Sequence, residues 1–241
     1  MEIKNKIILI SGGSSGIGFA TAKLLLEQRA TVVIFARDET KLEKALTDLH
    51  KISENIYVVK ADVTNFDDLQ RVFQFIDDNF GRLDILINNA GLPADSITNT
   101  SEEDIDYTTS TNLIGYLRCA KMAYERMVQN RSAHIINIGS MSAATYDGGS
   151  DVYVAQKSGV EGFSRALRKS PAINDIKVSL IEPGLVDTNL ITMSEKDRIA
   201  YHQAHKILKP EDVAELILFI LTRREAVDII EVSIKASNQI I

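Results

Sequence analysis

Short Ile/Val/Leu runs that return at regular intervals, each followed by an amphipathic stretch, constrain this 241-residue chain more than any other feature. Ile7 to Ile10, Thr31 to Phe35, Ile56 to Val59, Leu83 to Ile87, Ile135 to Ile138, Lys177 to Ile181 and Asp228 to Ile234 read as strands. The runs are nearly continuous rather than alternating, which is the pattern of strands covered on both faces. Between them lie segments with helical spacing. Gly16 to Gln28 places Ile17, Ala20, Leu24 and Leu25 on one side, and Asp38 to Lys51 is a charged amphipathic stretch. A helix runs from an N-cap at Thr64/Asn65 to Phe80, a long one fills much of Glu102 to Gln129, another covers Asp151 to Lys169, and Pro210-Glu211-Asp212 opens the last. This alternation predicts an α/β fold: a doubly wound parallel sheet of about seven strands with helices on both faces. No repeat, low-complexity tract or Pro/Gly/Ser linker interrupts it, so residues 1–241 are expected to form a single domain.

Composition works by exclusion. With 45% hydrophobic and 25% charged residues, the chain has the balance of a globular protein with a sizeable core. A formal net charge of −6 and the absence of a Lys/Arg block argue against nucleic acid and against an anionic membrane surface. The lone cysteine, Cys119, forbids an intrachain disulfide and reads as a small buried apolar residue rather than a reactive thiol. No Cys/His cluster has metal-ligand spacing, so no metal is expected. The first residues run directly into an apolar strand that is too short for a signal peptide or a membrane span, and the cytoplasm is the expected compartment.

In an open parallel sheet, ligands bind outside the carboxyl ends of the strands, so the residues just after each strand matter most. After Ile10 comes Ser11-Gly12-Gly13-Ser14-Ser15-Gly16-Ile17-Gly18 and then a helix. Glycine lets the backbone approach a pyrophosphate, and a helix N-terminus favours the anion through its free N–H groups and its dipole. Gly12, Ser14, Ser15, Gly16, Ile17 and Gly18 are therefore candidate cofactor-binding residues. Four glycines between Gly12 and Gly18 count against the alternative, a merely tight turn. The spacing is not that of a nucleotide-triphosphate loop, and no lysine follows, which argues against an NTPase.

The second strand ends at Ala36, where an enzyme selecting NAD would carry an acidic residue on the ribose 2′-hydroxyl; Arg37 follows instead. A guanidinium fork suits a 2′-phosphate. The alternative for Arg37 is a solvated surface charge, and Asp38 complicates the reading because it could pair with Arg37 or repel phosphate. NADP is the favoured cofactor, with NAD left open.

Tyr153 and Lys157 stand at i and i+4 on one helix, so phenol and ammonium share a face. Such pairs usually mark a solvated helix surface, but here Ser140 lies just past a strand, Asn88-Asn89-Ala90-Gly91 follows another, and Asn112 lies in the long helix. Taken in order, Ser11 to Gly18, Asp62-Val63, Asn88 to Gly91, Asn112, Ser140, Tyr153-x3-Lys157 and Pro183-Gly184-Leu185-Val186-Asp187-Thr188 resemble the motif set of the short-chain dehydrogenase/reductase family, over nearly the whole chain. Ser11 stands where threonine is most common, a change that keeps the hydroxyl.

The resemblance implies a single Rossmann domain carrying both cofactor and substrate sites, and an oxidoreductase that moves a hydride between NADP(H) and a small alcohol or carbonyl. It implies Tyr153 as general acid/base and Lys157 as the group that favours the phenolate and bonds the nicotinamide ribose. Ser140 would donate to the developing oxyanion. Asn112 would position a water for proton relay to Lys157, or serve as a helix cap or kink residue. Asp62 and Val63 would contact adenine, and Asn89, Ala90 and Gly91 the adenosine ribose, with strand-tying as the alternative for Asn89. Pro183, Gly184, Val186 and Thr188 would lie at the nicotinamide.

The family implies a homotetramer or homodimer. Small residues Ala155, Ser158, Gly159 and Gly162 on the Tyr153 helix, and apolar Ile229, Ile230, Val232 and Ile234, are the interface candidates. The alternative for the small residues is packing against the chain's own neighbouring helix. The C-terminus lacks the family's usual acidic-Gly-Gly ending; with the Phe35 to Glu39 segment it resembles the serine 3-dehydrogenase-like branch, which acts on small hydroxy acids and related alcohols with NADP. The expected substrate wall is Leu92, Pro93, Met141, Ser142, Tyr146, Leu190 and Met193, under a modest lid from 189–206. Two other readings stay open: a cofactor-sensing binding protein, which would not need Ser140, Tyr153 and Lys157 together, and an isomerase or dehydratase on the same scaffold.

Overall fold

β1 (Ile7–Ser11), β2 (Thr31–Ala36), β3 (Ile56–Lys60), β4 (Ile85–Asn88), β5 (Ala133–Ile138), β6 (Ile176–Pro183) and β7 (Glu231–Ile234) form one parallel sheet in the order β3-β2-β1-β4-β5-β6-β7. The computed structural model describes residues 2–128, 133–146, 148–170 and 175–240. The helices are α1 (Gly16–Glu27), α2 (Glu39–His50), α3 (Phe66–Phe80), α4 (Glu102–Thr109), α5 (Gly115–Met127), the short α6 (Ser142–Thr145), α7 (Asp151–Leu167), α8 (Glu195–Gln203) and α9 (Pro210–Leu221).

The continuous apolar runs have the expected cause. Successive strand residues point to opposite faces. Ile8, Ile10, Val32 and Ile34 pack with Leu25 of α1, Leu42 of α2 and Ile217 of α9. Leu9, Val33 and Phe35 pack with Leu69 and Phe73 of α3 and Ala120 of α5. Full burial of such side chains contributes about 1.5–3 kcal/mol each, so both faces of these central strands are apolar along the runs. Strand order reverses at β1, which pairs with β2 on one side and β4 on the other. The helices leave that point in opposite directions, and the crevice lies there.

The anticipated cap at Asn65 is present, accepting from the Asp68 N–H at 3.1 Å. Other details differ. The long helix after Glu102 is two α-helices joined by a π turn at Ser110–Ile114, and its anticipated last residue, Gln129, lies outside the described residues, as does Ile241. α6 and α8 are additional. β7 begins at Glu231, not Asp228, and Ile229 and Ile234 pack against the chain's own core. Among the described residues, no helix is long and apolar enough to cross a membrane.

Candidate functional site

A cleft of about 990 Å³ opens beyond the carboxyl ends of the strands. Its first wall is the turn after β1. Gly12 has φ +66°, and a Cβ there would lie 2.9 Å from the Ala90 Cα, so the turn passes almost in contact with the β4 loop. A Cβ on Gly18 would lie 2.5 Å from the Gly12 carbonyl oxygen, so the start of α1 closes tightly on the turn. Ser11 explains its own hydroxyl: Oγ accepts from the N–H groups of Asn89 at 2.9 Å and Ala90 at 3.0 Å. The Asn89 carboxamide donates to the carbonyls of Ser11 and Gly12 at 2.9 and 3.1 Å, so its side chain ties β1 to the β4 loop.

The N-terminus of α1 is built for an anion. α2, α3, α4, α7, α8 and α9 each carry an acidic residue in the first turn; α1 carries none, and its N-cap, Ser15, makes no side-chain cap bond. The free N–H groups and the positive end of the dipole therefore face the cleft beside Ser14, Ser15, Gly16 and Ile17.

At the end of β2, Ala36 and Arg37 line the cleft, with Asp62 and Val63 beside them. Asp38 does not pair with Arg37. It caps α2 by accepting from the Lys41 N–H at 3.0 Å and pairs with the Lys41 ammonium at 3.5 Å. Burial alone would raise the Asp62 carboxyl, but the Thr64 N–H, the Tyr107 hydroxyl and Arg37 together hold it below the usual carboxylate range.

Ser140, Tyr153 and Lys157 meet on the far side of the cleft. Ser140 lies two residues past β5, and Tyr153 and Lys157 rise on one face of α7. Burial raises the Tyr153 phenol above its ordinary value, and a hydrogen bond with Ser140 pulls it the other way. Lys157 is 3% exposed, and burial brings its ammonium down to about 8. Its Nζ donates to the Ile138 carbonyl at 2.9 Å and stands 5.7 Å from the Tyr153 ring centroid.

Asn112 lies in the π turn behind this group and does not line the cleft. Its carboxamide is fully engaged: Oδ1 accepts from the Leu92 N–H at 2.8 Å, and Nδ2 donates to the Leu92 carbonyl at 2.9 Å and to Gln156 Oε1 at 2.6 Å. Asn112 thus sits within the π turn, with its buried amide tied to the loop at Leu92. Gln156 completes the bridge by donating to the hydroxyls of Thr108 and Thr109 at 2.9 and 3.1 Å.

The loop after β6 closes the site. Pro183, Gly184, Val186 and Thr188 line it, and the Thr188 methyl lies 3.0 Å from where a Gly16 Cβ would stand. The Leu185 N–H donates to Gln239 Oε1 at 3.0 Å, so the C-terminal tail braces the loop. Asp187 pairs with Arg198 and, at 2.7 Å, with His202, fastening α8.

Gly12, Ser14, Ser15, Gly16, Ile17, Arg37, Asp62, Val63, Asn89, Ala90, Gly91, Ser140, Tyr153, Lys157, Pro183, Gly184, Val186 and Thr188 thus share one cleft; Gly18 and Asn112 stand behind its wall. Of the anticipated substrate wall, Leu92, Pro93, Met141, Ser142 and Leu190 line it, whereas Tyr146 and Met193 do not. Tyr146 is turned outward at φ 54° and is 72% exposed. Reading the sequence did not find Tyr107, Gln156 or Gln239. Gln156 carried a signal, since a glutamine between Tyr153 and Lys157 on a buried face needs partners; Tyr107 and Gln239 carried none. Cys119 is fully buried, and its thiol is raised to about 12 by burial, which makes it an apolar core residue.

Comparison with known proteins agrees with this geometry. The short chain dehydrogenase family profile matches residues 6–199. Over 235 residues the chain is 34% identical to an uncharacterized oxidoreductase of Staphylococcus aureus (strain MRSA252), a match covering 97% of this chain and 98% of that protein. Carbonyl reductase family member 4 of Xenopus tropicalis is 33% identical over 218 residues, covering 90% of this chain and 91% of that one. The solved structure of 3-ketoacyl-(acyl-carrier-protein) reductase from Brucella melitensis, complexed with NADH, superposes with a TM-score of 0.88 at 24% identity, covering 99% of this chain and 100% of that one. With the family profile spanning the sheet from β1 through β6 and the cleft assembled at its carboxyl edge, the chain belongs to the short-chain dehydrogenase family of oxidoreductases.

Proposed function

We propose that the protein is an NADP(H)-dependent oxidoreductase that interconverts a small alcohol and its carbonyl compound, with Tyr153 as the general acid/base. The observation that carries this reading is the convergence of Ser140, Tyr153 and Lys157 on a cleft whose opposite wall is the glycine turn and uncapped N-terminus of α1.

The residues present suit a dinucleotide. The left-handed turn at Gly12, which packs tightly on the β4 loop, and the acid-free, uncapped first turn of α1 fit a pyrophosphate held by Gly12, Ser14, Ser15, Gly16 and Ile17. Arg37 would take the 2′-phosphate, Asp62 and Val63 the adenine, and Asn89, Ala90 and Gly91 the adenosine ribose. Lys157 would take the nicotinamide ribose, and Pro183, Gly184, Val186 and Thr188 the nicotinamide. NADP rather than NAD is supported by Ala36 and by an Arg37 that Asp38 leaves unpaired.

When bound, the nicotinamide supplies or accepts the hydride. The chain handles the proton. In the reductive direction the Ser140 hydroxyl donates a hydrogen bond to the substrate oxygen, and the Tyr153 phenol gives that oxygen its proton, a role worth a factor of about 10²–10⁴ in rate. Burial favours the protonated phenol that this direction needs, and the Ser140 bond offsets part of that rise. Lys157 stands beside the phenol as the next proton carrier. With its carboxamide committed to Leu92 and Gln156, the Asn112 side chain has no free N–H to offer a relay to Lys157.

Among the described residues, the cations lining the cleft are Arg37 and Lys41 near the end of β2 and Lys157, which is buried and bonded to the Ile138 carbonyl, while the substrate end offers Leu92, Pro93, Met141 and Leu190. This supports an uncharged carbonyl compound over the hydroxy acid suggested by the C-terminal resemblance. One domain provides both subsites. A homotetramer in the cytoplasm is the proposed working form, supported by open space over Gly162, by an exposed Ala155 and by half-exposed Ile230 and Phe219. Gly159 does not contribute, because it packs on the chain's own Leu113.

Tyr153→Phe tests the chemistry. Turnover of a carbonyl panel, followed by reduced-nicotinamide absorbance, should fall by at least ~10²-fold, while calorimetric affinity for NADPH stays within several-fold. Retention of most of the turnover would overturn the assignment.

A further inference from the structure

Arg37 sits on an exposed corner of the cleft, where a guanidinium on a long flexible stem would sample many rotamers. It does not do so. Its Nη1 donates to the hydroxyl of Tyr107, and its guanidinium carbon lies 5.3 Å from the Tyr107 ring centroid. The same hydroxyl donates to Asp62 Oδ2 at 2.7 Å. A phenol has one proton to give and lone pairs to receive, so it can serve both neighbours at once. Asp62 is itself held, its Oδ1 accepting from the Thr64 N–H at 2.9 Å and the Thr64 hydroxyl at 2.8 Å. The chain of contacts therefore runs from the end of β3, through α4, to the end of β2, and all three of its charged or phenolic members line the cleft. Among the described residues, Arg37 makes no ion pair, since Asp38 is taken by Lys41. Its charge is positioned, with Asp62 one hydroxyl away rather than in direct contact.

We infer that Tyr107 is a specificity-determining positioning residue, which sets the Arg37 guanidinium for an adenosine 2′-phosphate. The inference rests on the NADP reading proposed above. Its physical basis is pre-organisation: an arginine already held at the mouth of the subsite loses less rotamer freedom when it engages a phosphate. A ligand without the 2′-phosphate never recruits the guanidinium and gains nothing from the tether. The part of the Tyr107 effect that passes through Arg37 is therefore confined to 2′-phosphorylated ligands, whereas any part that passes through Asp62 and the adenine weakens both kinds of ligand alike.

Calorimetry on the full chain with two probes separates the cases: adenosine 2′,5′-bisphosphate, and adenosine 5′-monophosphate, which differs only by lacking the 2′-phosphate. Tyr107→Phe keeps the ring under the guanidinium and removes the hydroxyl. It should weaken the bisphosphate by about 3- to 10-fold, the size of the side-chain ordering cost that the tether saves, and leave the monophosphate within about twofold. In an Arg37→Ala background the same change should have no further effect on the bisphosphate, because the coupled partner is gone. Equal weakening of both probes, or an unchanged bisphosphate affinity, would overturn the inference while leaving the NADP reading intact. Equal affinity of the unmodified protein for the two probes would defeat the 2′-phosphate reading itself, and this inference with it.

Discussion

The Nζ of Lys157 donates to the main-chain carbonyl of Ile138 across 2.9 Å, fastening α7 to the last residue of β5, two positions before Ser140. One buried bond thus sets the distance between the helix that carries Tyr153 and the strand end that carries Ser140.

That bond buries a cation, and a pH dependence follows. The Lys157 ammonium titrates at about 8 in the fold against an ordinary 10.5. Between those values the unfolded chain binds more protons than the folded one, so stability rises with pH across that window; below it the burial penalty, on the order of 3 kcal/mol, is fully present. Lys157→Met removes the penalty. The stability of this variant relative to the parent should therefore be most favourable near neutral pH and decline by roughly 2 kcal/mol as pH approaches about 10. Urea unfolding of both proteins at the two pH values checks this; a difference independent of pH would refute it.

Gly18→Ala should cost stability on the order of 2 kcal/mol, because the new methyl would meet the Gly12 carbonyl oxygen at 2.5 Å and Asn89 Nδ2 at 2.6 Å, and these groups form the turn itself. Dinucleotide affinity should fall with it. Thermal unfolding and calorimetry read the two effects, and a variant as stable as the parent would show that the turn yields more easily than its geometry says.

Ala36→Asp places a carboxylate at the end of β2, beside Arg37. It should bond a ribose 2′-hydroxyl and repel a 2′-phosphate, reversing a preference for NADPH into one for NADH by about tenfold or more in kcat/KM. Steady-state rates with both reduced cofactors decide it; a better kcat/KM with NADH in the unmodified protein would reject the reading of this strand.

Light scattering at micromolar concentration should give the mass of a tetramer. Gly162 has nothing within 4 Å of where its Cβ would stand, so Gly162→Phe should leave the isolated fold intact and lower the assembled mass. A monomer mass for the parent protein would eliminate both proposed interfaces, and a dimer mass would leave only one.

Much of this architecture was legible in the chain itself. The continuous runs at Ile7–Ile10 and Thr31–Phe35 could satisfy their burial only between two layers of helices, and the positions after them had to be the carboxyl edge of a parallel sheet. The glycine turn and the Tyr153/Lys157 pair were readable for the same reason: each depends on residues a few positions apart, whose relation local backbone geometry fixes. The rest depended on tertiary placement. Arg37 meets Tyr107 across 70 positions, Tyr107 meets Asp62 across 45, and Asn112 meets Gln156 across 44. The π turn at Ser110–Ile114 and the short β7 have the same origin. A periodic pattern states which face of a segment is buried, but not which distant polar group waits there. Only closure of the sheet brings those groups within hydrogen-bond distance, and at that range pairing a buried polar atom outweighs the preference of its own segment.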